Sequence, residues 1–315
     1  MKAIQFDHHG GPEVLTIREV PKPVCQPEEV SVRVEAIGLN YVDTAIRKGN
    51  HLPVQQFPAF MPGEMEGVIE EVGKKVRHLH RGQRVTGYSG AGYAQFAVVP
   101  ASAVTVLPDD LPLGKGMLIQ HLTAQNLLHQ ATGYQSVLIT AAAGGVGSSA
   151  VQIAKIKGAR MIIGLVGDPG KAGYIQSLGA TDVISYSEDN WPKQLEKITE
   201  QKGVDLVLES VGGSIGSELV TQLSTNGTMV VYGNSSGEPS PITLQSLIMQ
   251  TRKIVTARLY SAPVELRNQW TNEIIQWIQS GELNVALTFY SLADAAKAHA
   301  DLESRKSTGR LILKP

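Results

Sequence analysis

The sequence predicts an α/β protein in which a doubly wound parallel sheet domain is joined to a β-rich domain. From about Leu118 onward, short apolar segments alternate with amphipathic helical segments, which is typical of a parallel sheet covered by helices on both faces. The first 115 residues instead contain short alternating runs punctuated by Gly and Pro, which indicates β structure of irregular topology. A cluster of glycines separates the first strand of the alternating region from its helix.

The composition is that of an ordinary globular protein. The chain of 315 residues is long enough for two domains, with 42% hydrophobic and 18% charged residues. A net charge of −1 gives no electrostatic footprint for nucleic acid or an anionic membrane. The longest apolar runs are far below the roughly 20 residues of a membrane span, and residues 1–10 lack the apolar core of a secretory signal. Because Cys25 is the single cysteine and cannot form an intrachain disulfide, we expect a cytoplasmic protein.

The glycine cluster at residues 141–147 lies between a β-branched run and a segment with apolar residues at helical spacing. Ala141, Gly144 and Gly147 are three residues apart, as in a variant of the fingerprint of dinucleotide-binding turns. Glycine allows the sharp turn and the close approach of a pyrophosphate, and the N-terminus of the following helix attracts phosphate. Such a turn also joins strands to helices where no ligand binds. The pattern and its context predict a nucleotide site at Gly144, Gly145, Val146 and Gly147.

The other elements of this region follow in alternating order. Strands are predicted at 136–140, 160–165, 182–186, 204–210, 228–233 and 253–259, and helices at 171–180, 191–203, 215–223 and 244–250. Pro192 in a first turn and Gly179 at a helix end are boundary signals. The C-terminal part holds a long helix around Trp270 and Trp277, a helix at 292–304 and a closing strand at 309–315. We predict that 118–259 form the nucleotide-binding domain and that 1–117 with 260–315 form the β-rich domain.

The whole chain resembles the medium-chain dehydrogenase/reductase superfamily, and within it the zinc-independent quinone oxidoreductases. The resemblance rests on segments in order at 35–49, 62–73, 82–88, 141–147, 171–186, 232–237 and 303–315. It implies a GroES-like catalytic domain, a Rossmann domain, a homodimer, and hydride transfer from NADPH to a quinone or an α,β-unsaturated carbonyl. Two alternatives remain open: an enone, enal or enoyl-thioester reductase of the same fold, and a non-enzymatic NADPH-binding protein such as the lens crystallins of this family.

The resemblance also bears on zinc. Zinc alcohol dehydrogenases carry a cysteine at the position of Asn40, and they have Gly-His-Glu where this chain has residues 63–66. Their cluster of structural-zinc cysteines has no counterpart here. Without a sulfur ligand and a matched histidine, a tetrahedral zinc site does not form at that position. We therefore expect no metal.

The cofactor preference follows from the end of the second Rossmann strand. NAD-preferring domains usually place Asp or Glu there, whereas this chain has Val166. Lys171, Tyr186 and Arg305 match family residues that reach the 2′-phosphate of NADPH; alternatively, Lys171 is a solvated lysine at the start of a helix. Asp168 departs from the family pattern, and it is either a ribose ligand or a turn residue. The resemblance further implies cofactor contacts at Asn40, Thr123, Gly167, Gly233 and Ser235.

Asn40 is the candidate catalytic residue, because the family has Asn at this position near the nicotinamide; the alternative is a turn-forming Asn at a strand end. Tyr41 and Tyr260 either line the substrate pocket or are core aromatics. Ala45 stands where some quinone reductases have Tyr, so a tyrosine proton donor is absent there. His121 replaces a glycine of the family, and it is either a proton donor or a steric filler.

Overall fold

The computed structural model describes residues 1–51, 54 and 56–315, and its elements follow the predicted change from β-rich to alternating structure. The strands are β1 Lys2–Phe6, β2 Thr16–Glu19, β3 Glu29–Gly38, β4 Ala59–Phe60, β5 Gly63–Val72, β6 Arg84–Ser89, β7 Phe96–Pro100, β8 Val104–Val106, β9 Ser136–Thr140, β10 Met161–Val166, β11 Asp182–Ser185, β12 Val204–Glu209, β13 Leu223–Val231, β14 Lys253–Thr256, β15 Leu287–Ser291 and β16 Arg310–Lys314. The helices are α1 Tyr41–Arg47, α2 Ile119–His129, α3 Gly145–Ile156, α4 Ala172–Leu178, α5 Trp191–Ile198, α6 Gly213–Thr221, α7 Gln245–Ile248, α8 Val264–Ser280 and α9 Ala295–Glu303.

The chain divides into two compact units, Met1–Ile119 with Ala286–Pro315, and Gln120–Val285. These units differ from the predicted domains, whose boundaries fell after residues 117 and 259. Residues 260–285 belong to the second unit, although the sequence analysis assigned them to the β-rich domain.

Helix α8 accounts for the difference at the second boundary. It packs against α2 within the second unit, where the rings of Trp270 and His129 meet edge to face with 5.3 Å between centroids. The Gln125 side chain of α2 also donates a hydrogen bond to Glu273 of α8 at 3.0 Å. The periodicity of the sequence predicts that α8 is a helix, but it does not predict in which of the two units the helix packs.

The second unit contains a six-stranded parallel sheet with the order β11-β10-β9-β12-β13-β14. The chain runs outward from β9 in one direction and outward from β12 in the other. The point where the order reverses therefore lies between β9 and β12, and ligands of such sheets bind outside the carboxyl ends of the strands at this point. Buried apolar side chains on these strands, such as Leu138, Ile163 and Val207, form the hydrophobic core of the unit. The predicted doubly wound fold is confirmed.

Two helix boundaries in this unit fall at the predicted signals, although the helix predicted at 191–203 ends at Ile198. Helix α4 ends at Gly179, which adopts a φ of 114° that side-chain-bearing residues rarely take. Helix α5 carries Pro192 in its first turn, where the missing N–H has no helical partner to lose.

The first unit contains a three-stranded sheet, β2-β1-β4, and a larger sheet with the order β15-β16-β3-β5-β6-β8, to which β7 adds beside β3. The pairs are antiparallel except for β15 with β16. Val32, Ile37 and Met65 belong to the buried core between these strands. In the described part of the chain, every helix is too short or too polar to span a bilayer.

Candidate functional site

The glycine turn lies at the carboxyl end of β9, beside the point where the strand order reverses. Ala141 has a φ of +47°, and the Gly144 N–H closes the turn by donating to the Ala141 carbonyl at 2.9 Å. Helix α3 begins immediately afterwards at Gly145. The first N–H groups of a helix have no partner within it, so this N-terminus is suited to bind phosphate.

The glycines of the turn have different structural roles. A Cβ at Gly147 would overlap the backbone of Ala141 and Ala142, so this glycine lets α3 pack close to β9. A Cβ at Gly145 would overlap the side-chain amide of the buried Gln120. A Cβ at Gly144 would meet only the Ala141 carbonyl, at 3.3 Å. Of these three glycines, Gly144 is therefore the position where an added side chain disturbs the fold least.

Hydrogen bonds join the ends of three neighbouring strands at this edge of the sheet. The Ser210 N–H, after β12, donates to the Thr140 hydroxyl at the end of β9 at 2.9 Å. The Ser235 N–H, after β13, donates to the Ser210 carbonyl at 2.9 Å. Gly233 is close to the same residue, because a Cβ on it would lie 3.1 Å from the Ser210 Cβ. The structure thus places Gly233 and Ser235, both predicted cofactor residues, beside Ser210, which in turn contacts the end of the strand that carries the glycine turn.

The sequence analysis missed Glu209, which shapes the loop after β12. Its Oε1 accepts hydrogen bonds from the N–H groups of Val211 and Gly212, both at 2.6 Å. Burial raises the pKa of this carboxyl, and the two N–H donors oppose that shift. The role of Glu209 depends on the turn that the following residues make, and a single acidic residue at a strand end carries no signal of it.

The end of β10 brings together Gly167 and Tyr186, two of the predicted cofactor residues. A Cβ at Gly167 would lie 2.6 Å from the Tyr186 hydroxyl, and the Tyr186 N–H donates to the Val166 carbonyl at 2.9 Å. Lys171 follows in the same segment and is half-buried. Burial lowers the pKa of its ammonium, and the charge of Asp168 opposes this shift.

Asp168 serves as a cap in this segment. Its Oδ1 accepts a hydrogen bond from the Gly170 N–H at 2.9 Å, at the start of the short 3-10 helix Pro169–Lys171. This geometry favours the turn-residue interpretation over that of a ribose ligand. Arg305 belongs to the other compact unit, where it follows α9 with a φ of +57°.

Asn40 is buried at the junction of β3 and α1. It is the N-cap of α1, and its backbone N–H donates to the Asp43 carboxylate at 2.9 Å. Its side-chain Nδ2 donates to Glu64 Oε2 at 3.2 Å. The turn-forming interpretation of Asn40 agrees with its position at the start of the helix. The contact of its amide with the Glu64 carboxylate was not predicted from the sequence.

A chain of buried hydrogen bonds extends from Asp43 through the first unit. The Tyr93 hydroxyl donates to Asp43 Oδ2 at 2.9 Å and lies 3.1 Å from His299 Nε2. His299 Nδ1 is 3.4 Å from the Arg47 guanidinium, which also pairs with Glu303 at 2.7 Å. Because Arg47 is always a donor, His299 accepts at Nδ1 and donates from Nε2. Burial, and then the charge of Arg47, lower the pKa of His299 to about 3, so the imidazole is neutral.

Asp43 gives this chain a dependence on pH. Burial raises the pKa of its carboxyl from 3.8 to about 7, and its Oδ1 has no hydrogen-bond partner among the described residues. A raised pKa means that the folded protein holds the proton more tightly, so the contribution of Asp43 to stability falls as pH rises from about 4 to about 7.

Asp43→Asn should remove this fall, because the amide keeps a carbonyl acceptor and cannot ionise. We expect the variant to gain stability relative to the wild type between about pH 5 and about pH 8, by on the order of 2–4 kcal/mol. Urea unfolding at both pH values measures the difference, with exposed Asp189→Asn as the control. Parallel pH dependences of wild type and Asp43→Asn would show that Asp43 is already ionised at the lower pH.

The remaining candidates lie in different surroundings. His121 is buried, with Nδ1 2.9 Å from the Ser149 hydroxyl, which itself donates to the Gly145 carbonyl at 2.7 Å. This contact between α2 and α3 favours the steric filler over the proton donor. Thr123 is half-buried on α2.

Tyr41 and Tyr260 are 42% and 67% exposed, so neither is a core aromatic. Across residues 1–51, 54 and 56–315, no three His, Cys, Asp or Glu side chains are grouped to hold a metal ion.

A doubly wound unit with a dinucleotide-type turn, in one chain with a β-rich unit, defines the class of medium-chain dehydrogenases and reductases. Family models of the alcohol dehydrogenase GroES-like domain and of the zinc-binding dehydrogenases match residues 26–109 and 145–280. The chain is 34% identical to the quinone oxidoreductase of Pseudomonas aeruginosa, over 100% of this chain and 99% of that protein. It is 33% identical to quinone oxidoreductase 1 of Escherichia coli, over 99% of each.

Comparison with solved structures leads to the same family. The Escherichia coli quinone oxidoreductase complexed with NADPH superposes with a TM-score of 0.92 at 33% identity, covering 100% of both chains. A mycobacterial protein complexed with NADPH superposes with a TM-score of 0.91 at 31% identity, also over 100% of both chains. The chain belongs to the quinone oxidoreductase family, and the family resemblance seen in its sequence is confirmed.

Proposed function

We propose that the protein is an NADPH-dependent oxidoreductase that transfers hydride to quinones. The observation that carries this function is the dinucleotide-type turn at 141–147 in a chain related over its full length to quinone oxidoreductases. NADPH supplies the hydride, and a quinone that takes up a hydride and a proton becomes a hydroquinone. The protein's share of the work is to bind the dinucleotide, to orient the acceptor and to limit access of water.

The preference for NADPH is supported by the end of β10. The acid that would bind a ribose 2′-hydroxyl is absent at Val166, and Asp168 is occupied in capping the following turn. Lys171 and Tyr186 lie beside this strand end, and a lysine and a phenol suit a dianionic phosphate by charge and by hydrogen bonding. We include Arg305 as a third contributor on the strength of its place in the family pattern.

We propose that catalysis proceeds without zinc. Asn40 replaces the cysteine ligand of the zinc enzymes, and the sequence contains one cysteine in all. The acceptor must then be electrophilic in itself, as quinones and conjugated carbonyls are. Asn40 has the N–H donors needed to hold the nicotinamide or to stabilise charge that develops on the acceptor oxygen. Tyr41 and Tyr260 are exposed aromatic side chains that suit a planar substrate, and we propose them as pocket residues.

The choice of acceptor separates this function from its alternatives. With NADPH, we expect kcat/KM for 1,4-benzoquinone and 9,10-phenanthrenequinone to exceed that for 2-alkenals by at least about tenfold, a difference of about 1.4 kcal/mol in activation free energy. The loss of absorbance of the reduced nicotinamide measures each rate. Faster turnover of 2-alkenals would assign the protein to the enone reductases, and tight NADPH binding without turnover of any acceptor would leave a non-enzymatic binding protein.

We propose a homodimer formed through the second unit. Leu244, Ile248 and Met249, around α7, are exposed by 77%, 67% and 73%. Strand β14 is an edge of the six-stranded sheet, and exposed apolar side chains beside an edge strand favour association. Sedimentation analysis would contradict the proposal by finding a monomer at assay concentrations. We further propose a cytoplasmic location, which suits a chain whose single cysteine, Cys25, is free; cell fractionation tests it.

A further inference from the structure

Glu64 is a buried carboxylate whose two oxygens are used by different parts of the first unit. Its Oε2 accepts from Asn40 Nδ2 at 3.2 Å, and its Oε1 accepts from the Ile119 N–H at 2.8 Å. Burial raises the pKa of this carboxyl, while the charge of Arg310 and these donors oppose the shift. Each of the two oxygens must therefore accept a hydrogen bond, and a carboxylate can accept at both of its oxygens.

The strand pairing brings Glu64 to Asn40. Glu64 of β5 stands directly opposite Gly38 of β3, two residues before Asn40. A Cβ on Gly38 would lie 3.2 Å from Glu64 Oε2, so the absence of a side chain there gives the carboxylate room to pass over the strand. This arrangement fixes the end of the Asn40 amide that faces the carboxylate, because a carboxylate accepts from N–H and repels a carbonyl oxygen.

We infer that Glu64 is a positioning residue for the reaction, holding the Asn40 amide in the one orientation that keeps an N–H available to the reactants. Glu64 uses one of the two hydrogens on Nδ2, and the inference assigns the other to the reactants. The inference rests on the proposed function, since it assigns Glu64 a role through the residue proposed to contact nicotinamide or acceptor.

Glu64→Gln tests the inference with little change in shape. The Gln amide has one oxygen, so its nitrogen must face either Asn40 Nδ2 or the Ile119 N–H, and both are donors. The Asn40 amide then loses its partner or turns over. We expect kcat/KM for the acceptor to fall by about threefold to thirtyfold, through kcat more than KM. Glu64→Asp, which keeps the charge but is one methylene too short to reach Asn40, should have a similar effect and serves if Glu64→Gln does not fold.

A matched control lies two residues along the same strand. Glu66 is also buried and pairs with Arg84 at 2.6 Å, and it accepts from the N–H groups of Gly114 and Gly116. Its hydrogen bonds go to these groups and not to Asn40, and Glu66→Gln is the same chemical change in the same strand. We expect this variant to lower the melting temperature and to leave kcat unchanged.

The decisive experiment is the double-mutant cycle with Asn40→Ala, which by itself should lower kcat/KM by about threefold to a hundredfold. If Glu64 acts through Asn40, Glu64→Gln should change kcat/KM by less than about twofold in the Asn40→Ala background. An equal loss in both backgrounds, or no loss from Glu64→Gln in the wild type, would overturn the inference.

A second readout does not depend on turnover. The side-chain amide signals of Asn40 in nitrogen-15 NMR, identified by their loss in Asn40→Ala, should shift in Glu64→Gln and stay in place in Glu66→Gln. Unmoved signals in Glu64→Gln would overturn the positioning role. Shifted signals in a protein that reduces no acceptor would show that the proposed function fails while the hydrogen bond between Glu64 and Asn40 stands.

Discussion

Gly144→Val should weaken NADPH binding by at least about 100-fold, equivalent to about 2.7 kcal/mol, while the protein remains folded. Gly144 has a φ of −79° and a ψ of 177°, an extended conformation in which valine is unstrained. Its Cβ would meet only the Ala141 carbonyl, at 3.3 Å, and we expect the added methyl groups to occupy the space that we propose for the pyrophosphate. Titration by nucleotide fluorescence measures the affinity, and the melting temperature reports the fold.

Gly90→Val is the matched control for this change. A Cβ on Gly90 would meet nothing within 4 Å, and the residue lies in a loop of the other unit. We expect wild-type affinity for NADPH in this variant. Wild-type affinity in a folded Gly144→Val protein would show instead that the glycine turn is a connector with no part in binding.

Lys171→Ala should weaken NADPH binding by about 10- to 100-fold and leave NADH binding almost unchanged. Charge-assisted hydrogen bonds contribute about 1.5–3 kcal/mol, and only NADPH carries the 2′-phosphate that Lys171 would contact. The Lys171 side chain is half-buried, and this burial removes part of the hydration of its ammonium and lowers its pKa. A ligand phosphate would add a negative charge that favours the protonated ammonium.

Lys157→Ala is the control, because it also removes one lysine charge. Lys157 lies at the C-terminus of α3, away from the glycine turn at its N-terminus. We expect the affinities for NADPH and NADH to stay unchanged in this variant. The ratio of the dissociation constants for NADPH and NADH, measured for each variant, is the informative quantity. If Lys171→Ala weakens both nucleotides equally, the lysine is not a 2′-phosphate ligand. If the wild type binds NADH more tightly, Asp168 becomes the residue to examine as a ribose ligand.

Elements of the second unit could be predicted from the sequence because their signals are local. The β-branched run of β9, the glycines after it and the helical spacing of α3 all lie within about twenty consecutive residues. Gly179 and Pro192 mark helix ends through their own backbone preferences. Strand β15 was not predicted, since its side chains are half-buried or exposed and give no apolar alternation.

The supporting residues of the candidate site could not be predicted, because their contacts join distant parts of the chain. Arg47 and His299 are 252 positions apart, and Asn40 and Glu64 are 24 apart. No periodicity connects such pairs, and a buried carboxylate reads in the sequence as an ordinary surface acid. Asn40 itself was found through its place in a family pattern, and its partner was visible only once β3 and β5 were paired.

The measurement that tests the account most directly is the rate of NADPH oxidation by 1,4-benzoquinone after exhaustive treatment of the protein with a zinc chelator, with the zinc content determined on the same sample. The account predicts a rate well above that of the protein-free blank, unchanged by the treatment, in protein with far less than one zinc per chain. A rate that falls to the blank on chelation and returns when zinc is added would contradict it.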